Sequence, residues 1–454
     1  MSRKNLNKEN IFAIPVGDSW GVDGERIYLL YAPLNGHISL ASKQNIEELE
    51  ACACGQPEGD AQTKLLSMFK AKGNVPVHFL PKNPHALYQI DILLNYTCNF
   101  KCIYCYSAVG RSSRQIDFGS IKAVVDYLFC SGKKQENPYI INFSGGGEPL
   151  LSFDLIRQTV VYIKKVNEDR HYYYNIGLVT NGSLITPEII DYLQSQGVNM
   201  AVSFEILPRF QDKERGGYAK VAANIDMMLK RDYPFGIRTT FTPESVSCMC
   251  EMIEEIAMRF PKLKKVVFDV VLAPALFPTP RDLEIYYDAF LENFYEAKTL
   301  AEKSGITLES VAVETLSMIR DRTCEGKIVL TPMGTISSCA RVSSPLEPLY
   351  KEYTFGEVVG SQLEFDQQKF ESIISQSNIY SEPICSECFA KWNCGGGCRL
   401  FHHSFDEHYE HVRCNFMRKA LKRQLLEVLR RSYRQSTGED LNTFINNKLE
   451  NNEL

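Results

Sequence analysis

The chain has 454 residues, too many for one small domain and suited to two or three. With 44% hydrophobic and 23% charged residues it has the make-up of an ordinary globular protein, and a formal net charge of -5 gives no electrostatic footprint for nucleic acid. The N-terminus has charge but no apolar signal core, and no apolar run reaches membrane-spanning length, so the expectation is a cytosolic protein with no membrane partner. Fifteen cysteines are many for a reducing compartment, where structural disulfides are disfavoured. Ten of them fall in two groups, Cys98 to Cys105 and Cys324 to Cys414, as metal ligands do. Cys52, Cys54, Cys130, Cys248 and Cys250 read as free or buried thiols.

Residues 1–86 form the first segment, read as a small α+β module. Arg26 to Ala32 and His37 to Leu40 read as strands joined at the turn Pro33-Leu-Asn-Gly36. Helical stretches follow at Asn45 to Cys52 and Ala61 to Lys72, separated by Gly55-Gln-Pro-Glu-Gly59.

From 87 to 305 strands alternate with helices, the pattern of a parallel sheet built from βα units. Expected strands are Tyr88–Leu94, Tyr139–Phe143, Tyr174–Thr180, Val198–Phe204, Phe235–Phe241 and Val266–Leu272. Helical runs lie at Phe118–Cys130, Phe153–Asn167, Pro187–Gln196, Tyr218–Arg231, Ser245–Arg259 and Arg281–Ser304. Six units are fewer than the eight that close a barrel, so the segment reads as an open, partial TIM-like (β/α)6 barrel. Its chemistry should gather where the strands end. After the first strand comes Cys98-x3-Cys102-x2-Cys105, with Tyr104 just before the third cysteine. Three thiolates hold three irons of a four-iron cluster and leave the fourth open to a small molecule. Buried apolar cysteines, or part of a zinc site, are the plainer readings, although structural zinc takes four protein ligands. After the second strand comes Ser144-Gly-Gly-Gly-Glu-Pro149, whose glycines let backbone approach a ligand closely. Asn181 follows the third strand, and Ser203 and Glu205 lie near the end of the fourth.

After 305 the alternation stops. Cys324-x14-Cys339, with a hairpin over Val329 to Ser338 turned at Met333-Gly334, precedes Cys385-x2-Cys388-x5-Cys394-x3-Cys398-x15-Cys414. A zinc ribbon would explain four of these seven cysteines and strand three. Met417 to Tyr433 reads as a basic helix packed on residues 306–425. The remainder, 426–454, is the end of that helix and a tail, with Asn442 to Leu454 polar and frayed.

The cysteine loop resembles that of the radical S-adenosylmethionine enzymes, and the later pattern, above all Cys385-Ser-Glu-Cys388 through Gly395-Gly-Gly-Cys398, resembles their SPASM extension. The resemblance implies three 4Fe-4S clusters and S-adenosylmethionine. Cys98, Cys102 and Cys105 would hold the cluster that starts the reaction, and Tyr104 would pack near the adenine. Gly146, Gly147 and Glu148 would meet the amino group of the cofactor, and Asn181 and Ser203 its ribose or methionine part. Arg238, on the fifth strand, would meet the methionine carboxylate unless an internal acid takes it. Cys385, Cys388, Cys394 and Cys414 would hold an outer auxiliary cluster; Cys324, Cys339 and Cys398 would hold an inner one. Full-complement relatives have one more cysteine where Met318 stands, which leaves the inner cluster with three thiolates. Sulfatase-maturing relatives follow the equivalent of Cys339 with a catalytic aspartate, whereas this chain has Ala340. The N-terminal module resembles leader-peptide recognition domains. Together these imply an oxidoreductase that abstracts hydrogen from a ribosomally made precursor peptide and installs a thioether or carbon–carbon cross-link, with flavodoxin or ferredoxin as electron donor. The alternatives are a sulfatase-type protein-residue oxidase, or a non-catalytic iron–sulfur or zinc protein.

Overall fold

The computed structural model describes residues 4–54, 60–70, 83–130, 135, 137–324 and 326–451. The expected segment at 55–59, and the end of the helix expected to reach Lys72, lie outside them. Two compact units divide the chain: one comprises residues 1–79, 313–323 and 377–454, the other residues 80–312 and 324–376.

The first unit opens with a three-stranded antiparallel sheet in the order β1-β2-β3, formed by β1 (Phe12–Pro15), β2 (Ile27–Ala32) and β3 (His37–Ser42). The apolar run Ile-Tyr-Leu-Leu-Tyr-Ala suits a central strand, and all six of its residues are buried. β3 runs directly into α1 (Lys43–Ala53), where the Ser42 side chain and Asn45 form a reciprocal cap. With α2 (Asp60–Phe69), these elements close a core of Leu6, Ile11, Tyr28, Leu30, Ile46, Leu49, Leu66 and Phe69. The same unit contains the cysteine-rich C-terminal segment. Tyr31 donates its hydroxyl to Asn393 Oδ1 (2.9 Å), and Trp392 donates Nε1 to Asn10 Oδ1 (2.7 Å).

The second unit holds one eleven-stranded sheet. Its parallel part contains β4 (Gln89–Ile92), β5 (Tyr139–Phe143), β6 (Tyr174–Thr180), β7 (Asn199–Ser203), β8 (Phe235–Phe241) and β9 (Lys265–Val270), each paired to the next. Between them run α3 (Phe118–Leu128), α4 (Phe153–Asn167), α5 (Pro187–Gln196), α6 (Tyr218–Lys230) and α7 (Met249–Arg259). The sequence dictates their limits: α5 starts at the Thr186 cap with Pro187 in its first turn and stops at Gly197, whose φ of 68° suits glycine. Along each strand one set of alternate residues is buried, such as Ile141, Leu178, Val202, Ile237 and Phe268. The other set (Asn142, Val179, Ser203, Arg238, Asp269) forms the less buried, polar inner face of an open barrel.

Two additions were not expected. After α8 (Pro280–Lys303), β10 (Thr307–Glu309) extends the parallel sheet beside β9. At the other edge β11 (Ile328–Leu330) pairs parallel to β4 and antiparallel to β12 (Thr335–Ser337), the expected hairpin. β13 (Thr354–Val359) and β14 (Gln362–Phe365) then continue the sheet antiparallel, ahead of α9 (Gln367–Ile374). The partial barrel therefore stands as expected.

The tail does not. Back in the first unit, the long α10 (Glu407–Thr437) ends at Gly438, and Leu441–Glu450 forms a further helix, α11, rather than a frayed end. Asp440 caps it through the amides of Asn442 and Thr443. Leu441 and Ile445 are buried one turn apart, so an apolar stripe on an otherwise polar segment suffices to fix it.

Candidate functional site

At the C-terminal end of the parallel strands the cysteine loop and the glycine loop are stitched together through backbone. Gly147 N donates to Asn95 O (2.8 Å) and Glu148 N to Thr97 O (2.8 Å), so the Gly-Gly-Glu segment pairs with the residues that run into Cys98. The approach demands glycine. A Cβ on Gly147 would lie 1.9 Å from Thr97 O, and one on Gly146, where φ is +69°, would lie 2.6 Å from Asn95 O.

Glu148 is 2% exposed, and both oxygens of its carboxylate accept hydrogen bonds. Oε1 accepts from Thr180 Oγ1 (2.6 Å) and Leu150 N (3.0 Å), and Oε2 from Asn181 N (2.7 Å). Burial pushes its carboxyl up, against the pull of those donors. Its side chain thus binds the end of β6 to the glycine loop. Asn181 passes the connection on: Nδ2 donates to Asn99 Oδ1 (2.8 Å) and lies 3.9 Å from Cys98 Sγ.

Tyr104 is held from the side of β7. Its hydroxyl donates to Glu205 Oε1 and accepts from Arg215 Nη1 (3.1 Å), and the Arg215–Glu205 ion pair spans 3.6 Å. Arg215 comes from an irregular π-type turn, Gln211–Arg215, whose Glu214 carbonyl accepts from Ile103 N (2.9 Å). Burial raises the Glu205 carboxyl to about 7, although Arg215 pulls it down. Burial likewise pushes the Cys102 thiol up; Arg215 opposes this, and the neighbouring Cys105 and Cys98 thiols add to it. The three cysteines therefore share one half-buried place.

Ser203 and Arg238 are register partners on the inner faces of β7 and β8. Arg238 has a carboxylate partner of its own, Asp269 at 3.0 Å, and lines a cavity of about 760 Å³ with Asn199, Phe235 and Lys265, the first residues of β7, β8 and β9. It is not joined to the Glu148 network. On the same inner face Asp91 accepts from Gln89 (3.0 Å), Asn142 (3.0 Å) and Lys327. Lys327 also lies within the electrostatic reach of Cys324 and Cys339. Ala340, after Cys339, would be 3.3 Å from a Cβ on Gly145, and the Arg341 guanidinium sits 4.9 Å over the Tyr106 ring.

Five of the later cysteines, Cys385, Cys388, Cys394, Cys398 and Cys414, belong to the first unit. Burial raises Cys385 to about 12, with Cys388, Cys394 and Cys414 as charged neighbours, and raises Cys414 to about 11. Cys385 thus lies within electrostatic reach of the other three thiols, and Cys414 within reach of Cys394 and Cys388. Three glycines in left-handed conformations shape the segment: a Cβ on Gly395 would strike the Arg322 carbonyl carbon at 2.5 Å, and one on Gly396 the Asn378 carbonyl carbon at 2.5 Å. Cys398 follows them in this unit, while Cys324 and Cys339 belong to the barrel unit, and Met318 is exposed. Among the described residues no three His, Cys, Asp or Glu side chains converge as ligands of a single metal ion. Thiolates of a multi-iron cluster each bind a different iron and stand apart. Sequence reasoning missed Arg111 and Arg215 at the cysteine loop, since neither belongs to a spacing motif.

Residues 92–256 match the model of the Radical SAM superfamily, so the chain carries a radical S-adenosylmethionine domain in the barrel, with the 4Fe-4S cluster and S-adenosylmethionine that this domain implies. Its relatives narrow the setting. The chain is 29% identical over 226 residues to the AdoMet-dependent heme synthase of Methanosarcina barkeri, covering 47% of this chain and 58% of that one. It is 22% identical over 333 residues to the cysteine-type anaerobic sulfatase-maturating enzyme of Clostridium novyi, covering 66% and 85%. It spans 54% and 58% of the length of two of the curated relatives that it matches. The solved structure of native anSMEcpe with bound AdoMet shares the fold at a TM-score of 0.58 and 16% identity, covering 75% of this chain and 98% of that one. No helix among the described residues is long and apolar enough to cross a membrane.

Proposed function

We propose that the chain is a radical S-adenosylmethionine peptide maturase, with Cys98, Cys102 and Cys105 as ligands of its initiating cluster. One observation carries the reading: Gly147 and Glu148 pair through backbone with Asn95 and Thr97, which sets a loop that only glycine permits against the run into Cys98. The residues fit the group, because three half-buried thiols share a place with two guanidinium groups to offset their charge as thiolates. When bound, the cluster and S-adenosylmethionine supply a 5′-deoxyadenosyl radical that takes hydrogen from an unactivated C–H bond.

The chain's own residues supply position and exclusion. Gly146 and Gly147 offer backbone to the amino group of the cofactor. Glu148 holds Thr180 and Asn181 against the cysteine loop, and Asn181 orients Asn99. Tyr104, locked by Glu205 and Arg215, forms the wall on which the adenine would pack. Ser203 would lie toward the ribose or methionine part of the cofactor, and Arg238 would meet its carboxylate only by leaving Asp269. Cys385, Cys388, Cys394 and Cys414 would hold an outer cluster. Cys324, Cys339 and Cys398 would hold an inner one with an open iron, and that leans toward a cysteine thiol in the product.

The substrate class is a ribosomally made precursor peptide, read by the module of residues 1–86 and joined to itself by a thioether or carbon–carbon bond. Support comes from the cysteine-rich segment and from a relative in fold, anSMEcpe, solved with bound AdoMet and the Cp18Cys peptide. A sulfatase-type oxidation is the second reading, favoured by the Clostridium novyi relative and opposed by Ala340. A test follows. Reconstituted anaerobically with a one-electron donor such as flavodoxin, the chain should release 5′-deoxyadenosine, and a neighbouring cysteine-containing peptide should lose two hydrogens per cross-link. Aldehyde formation on a sulfatase peptide would favour the second reading; zinc in place of iron would end both.

A further inference from the structure

Two guanidinium groups flank the cysteine triad, and their partners differ. Arg215 is 10% exposed, paired with Glu205 at 3.6 Å, and donates to the Tyr104 hydroxyl. Its charge is met by a carboxylate, and its work is to hold Tyr104. Arg111, six residues past Cys105, donates Nη2 to Cys105 Sγ at 3.4 Å and Nη1 to the carbonyl of Phe100, which lies between Cys98 and Cys102. Its Nε is buried without a partner, and among the described residues no carboxylate pairs with it. The thiols of the triad are its charged neighbours.

We propose that Arg111 is a positioning residue that raises the reduction potential of the cluster held by Cys98, Cys102 and Cys105; this rests on the cluster reading above. Reduction adds one electron from an external donor and no proton, so the cluster gains one negative charge. A sulfur that accepts an N–H bond carries that charge more easily, and a cation without a counter-ion favours the reduced form. Arg215 contributes less, because it donates to the Tyr104 hydroxyl and pairs with Glu205, whereas Arg111 donates to a triad sulfur. The same pairing recurs in the first unit, where Arg418 Nε donates to Cys388 Sγ at 3.4 Å, and this supplies a control.

The test is a redox titration of the full-length chain, reconstituted with iron and sulfide and followed by electron paramagnetic resonance. The triad's signal is the one that changes when S-adenosylmethionine is added. Arg111→Gln should shift the reduction equilibrium about tenfold toward the oxidised form, a fall of about 59 mV for a one-electron couple. Arg111→Lys should recover part of that shift, and Arg418→Gln should leave the triad's midpoint in place. An Arg111→Gln midpoint equal to that of the wild type overturns the proposal. Should Arg111→Gln fail to hold iron, pulsed resonance on wild-type protein labelled with nitrogen-15 arginine decides. A nitrogen coupling on the reduced triad cluster that disappears in Arg111→Lys supports the proposal, and its absence in the wild type, or its persistence in Arg111→Lys, overturns it. Wild-type protein that binds no iron at the triad sinks the cluster reading itself, whereas a cluster with an unmoved midpoint sinks only the role of Arg111.

Discussion

Gly147→Ala tests the central clamp in a single methyl group. The added Cβ would stand 1.9 Å from Thr97 O and 2.3 Å from Asn95 Oδ1. The first distance is roughly 1.6 Å inside the optimum of about 3.5 Å for such contacts. Neither neighbour yields cheaply, because Thr97 O is backbone and accepts from Glu148 N, while Asn95 is 3% exposed and donates Nδ2 to Ser152 Oγ (2.8 Å). Relief requires the two segments to part. That costs two backbone hydrogen bonds at about 1 kcal/mol each and overpacking of about 1–3 kcal/mol, a total near 4 kcal/mol. Cys98 would move with Thr97, so cluster loading and S-adenosylmethionine cleavage should fall further than global stability does. The assay is iron content, thermal unfolding and 5′-deoxyadenosine release, with Gly197→Ala as the control. Gly197 has a φ of +68°, a strain that Gly147 does not carry, but nothing within 4 Å, so its alanine should cost only the left-handed strain of about 1–2 kcal/mol and leave the site's iron and cleavage unchanged. If Gly147→Ala matches the wild type in iron and cleavage, the stitched loops are not what positions the site.

Three further outcomes follow. Replacing Cys98, Cys102 and Cys105 together with alanine should remove about four irons, leave roughly eight, and abolish 5′-deoxyadenosine release; full iron retention in an iron assay contradicts the ligand assignment. Lys327→Met leaves Asp91, 3% exposed, without its cation, and should destabilise the barrel by about 3 kcal/mol in chemical unfolding. A change below about 0.5 kcal/mol would mean the pair is no more than a surface contact. Glu205 titrates near 7 in the folded chain against an ordinary value of 4.5, so its protonated form is the one favoured by folding. Its contribution is therefore complete below the unfolded value and is lost as pH rises through about 7. A tenfold change in proton affinity is worth about 1.4 kcal/mol, so the contribution totals about 3 kcal/mol. The melting temperature of Glu205→Gln should fall less between pH 6 and 8 than that of the wild type, and parallel curves would refute the assignment.

The sequence disclosed those parts of the site in which residue type and spacing alone carry chemistry. Three cysteines at x3 and x2 spacing at a strand end, and a glycine run one unit later, need no tertiary knowledge to be noticed, and both loops lie at the strand ends where parallel βα units gather their chemistry. Arg111 and Arg215 had no such signal. The first reaches Cys105 through an irregular loop and the second through a π-type turn that no period announces, so only their three-dimensional arrival marks them. β10 was too short, at three residues, to stand out as a strand, and it exists because β9 presents an edge to pair with. The C-terminal tail departs from expectation because its polar composition outweighs the spacing of Leu441 and Ile445 in the sequence, whereas their burial decides the helix in the fold.

Arg238 illustrates the complementary case, in which one residue type serves two chemistries equally well. A guanidinium on an inner barrel face suits a ligand carboxylate or an internal acid, and from sequence nothing separates them. In the structure Asp269 occupies it at 3.0 Å, so recruitment to a cofactor carboxylate would have to break that pair. Because the Arg238 side chain is 44% exposed, the pair is partly screened and its loss costs little, about 0–1 kcal/mol. The exchange is therefore energetically open, and Asp269→Asn separates the two uses. If Arg238 serves the cofactor, freeing it should tighten S-adenosylmethionine binding; if it serves only the sheet, the variant should lose a little stability and leave that affinity where it was.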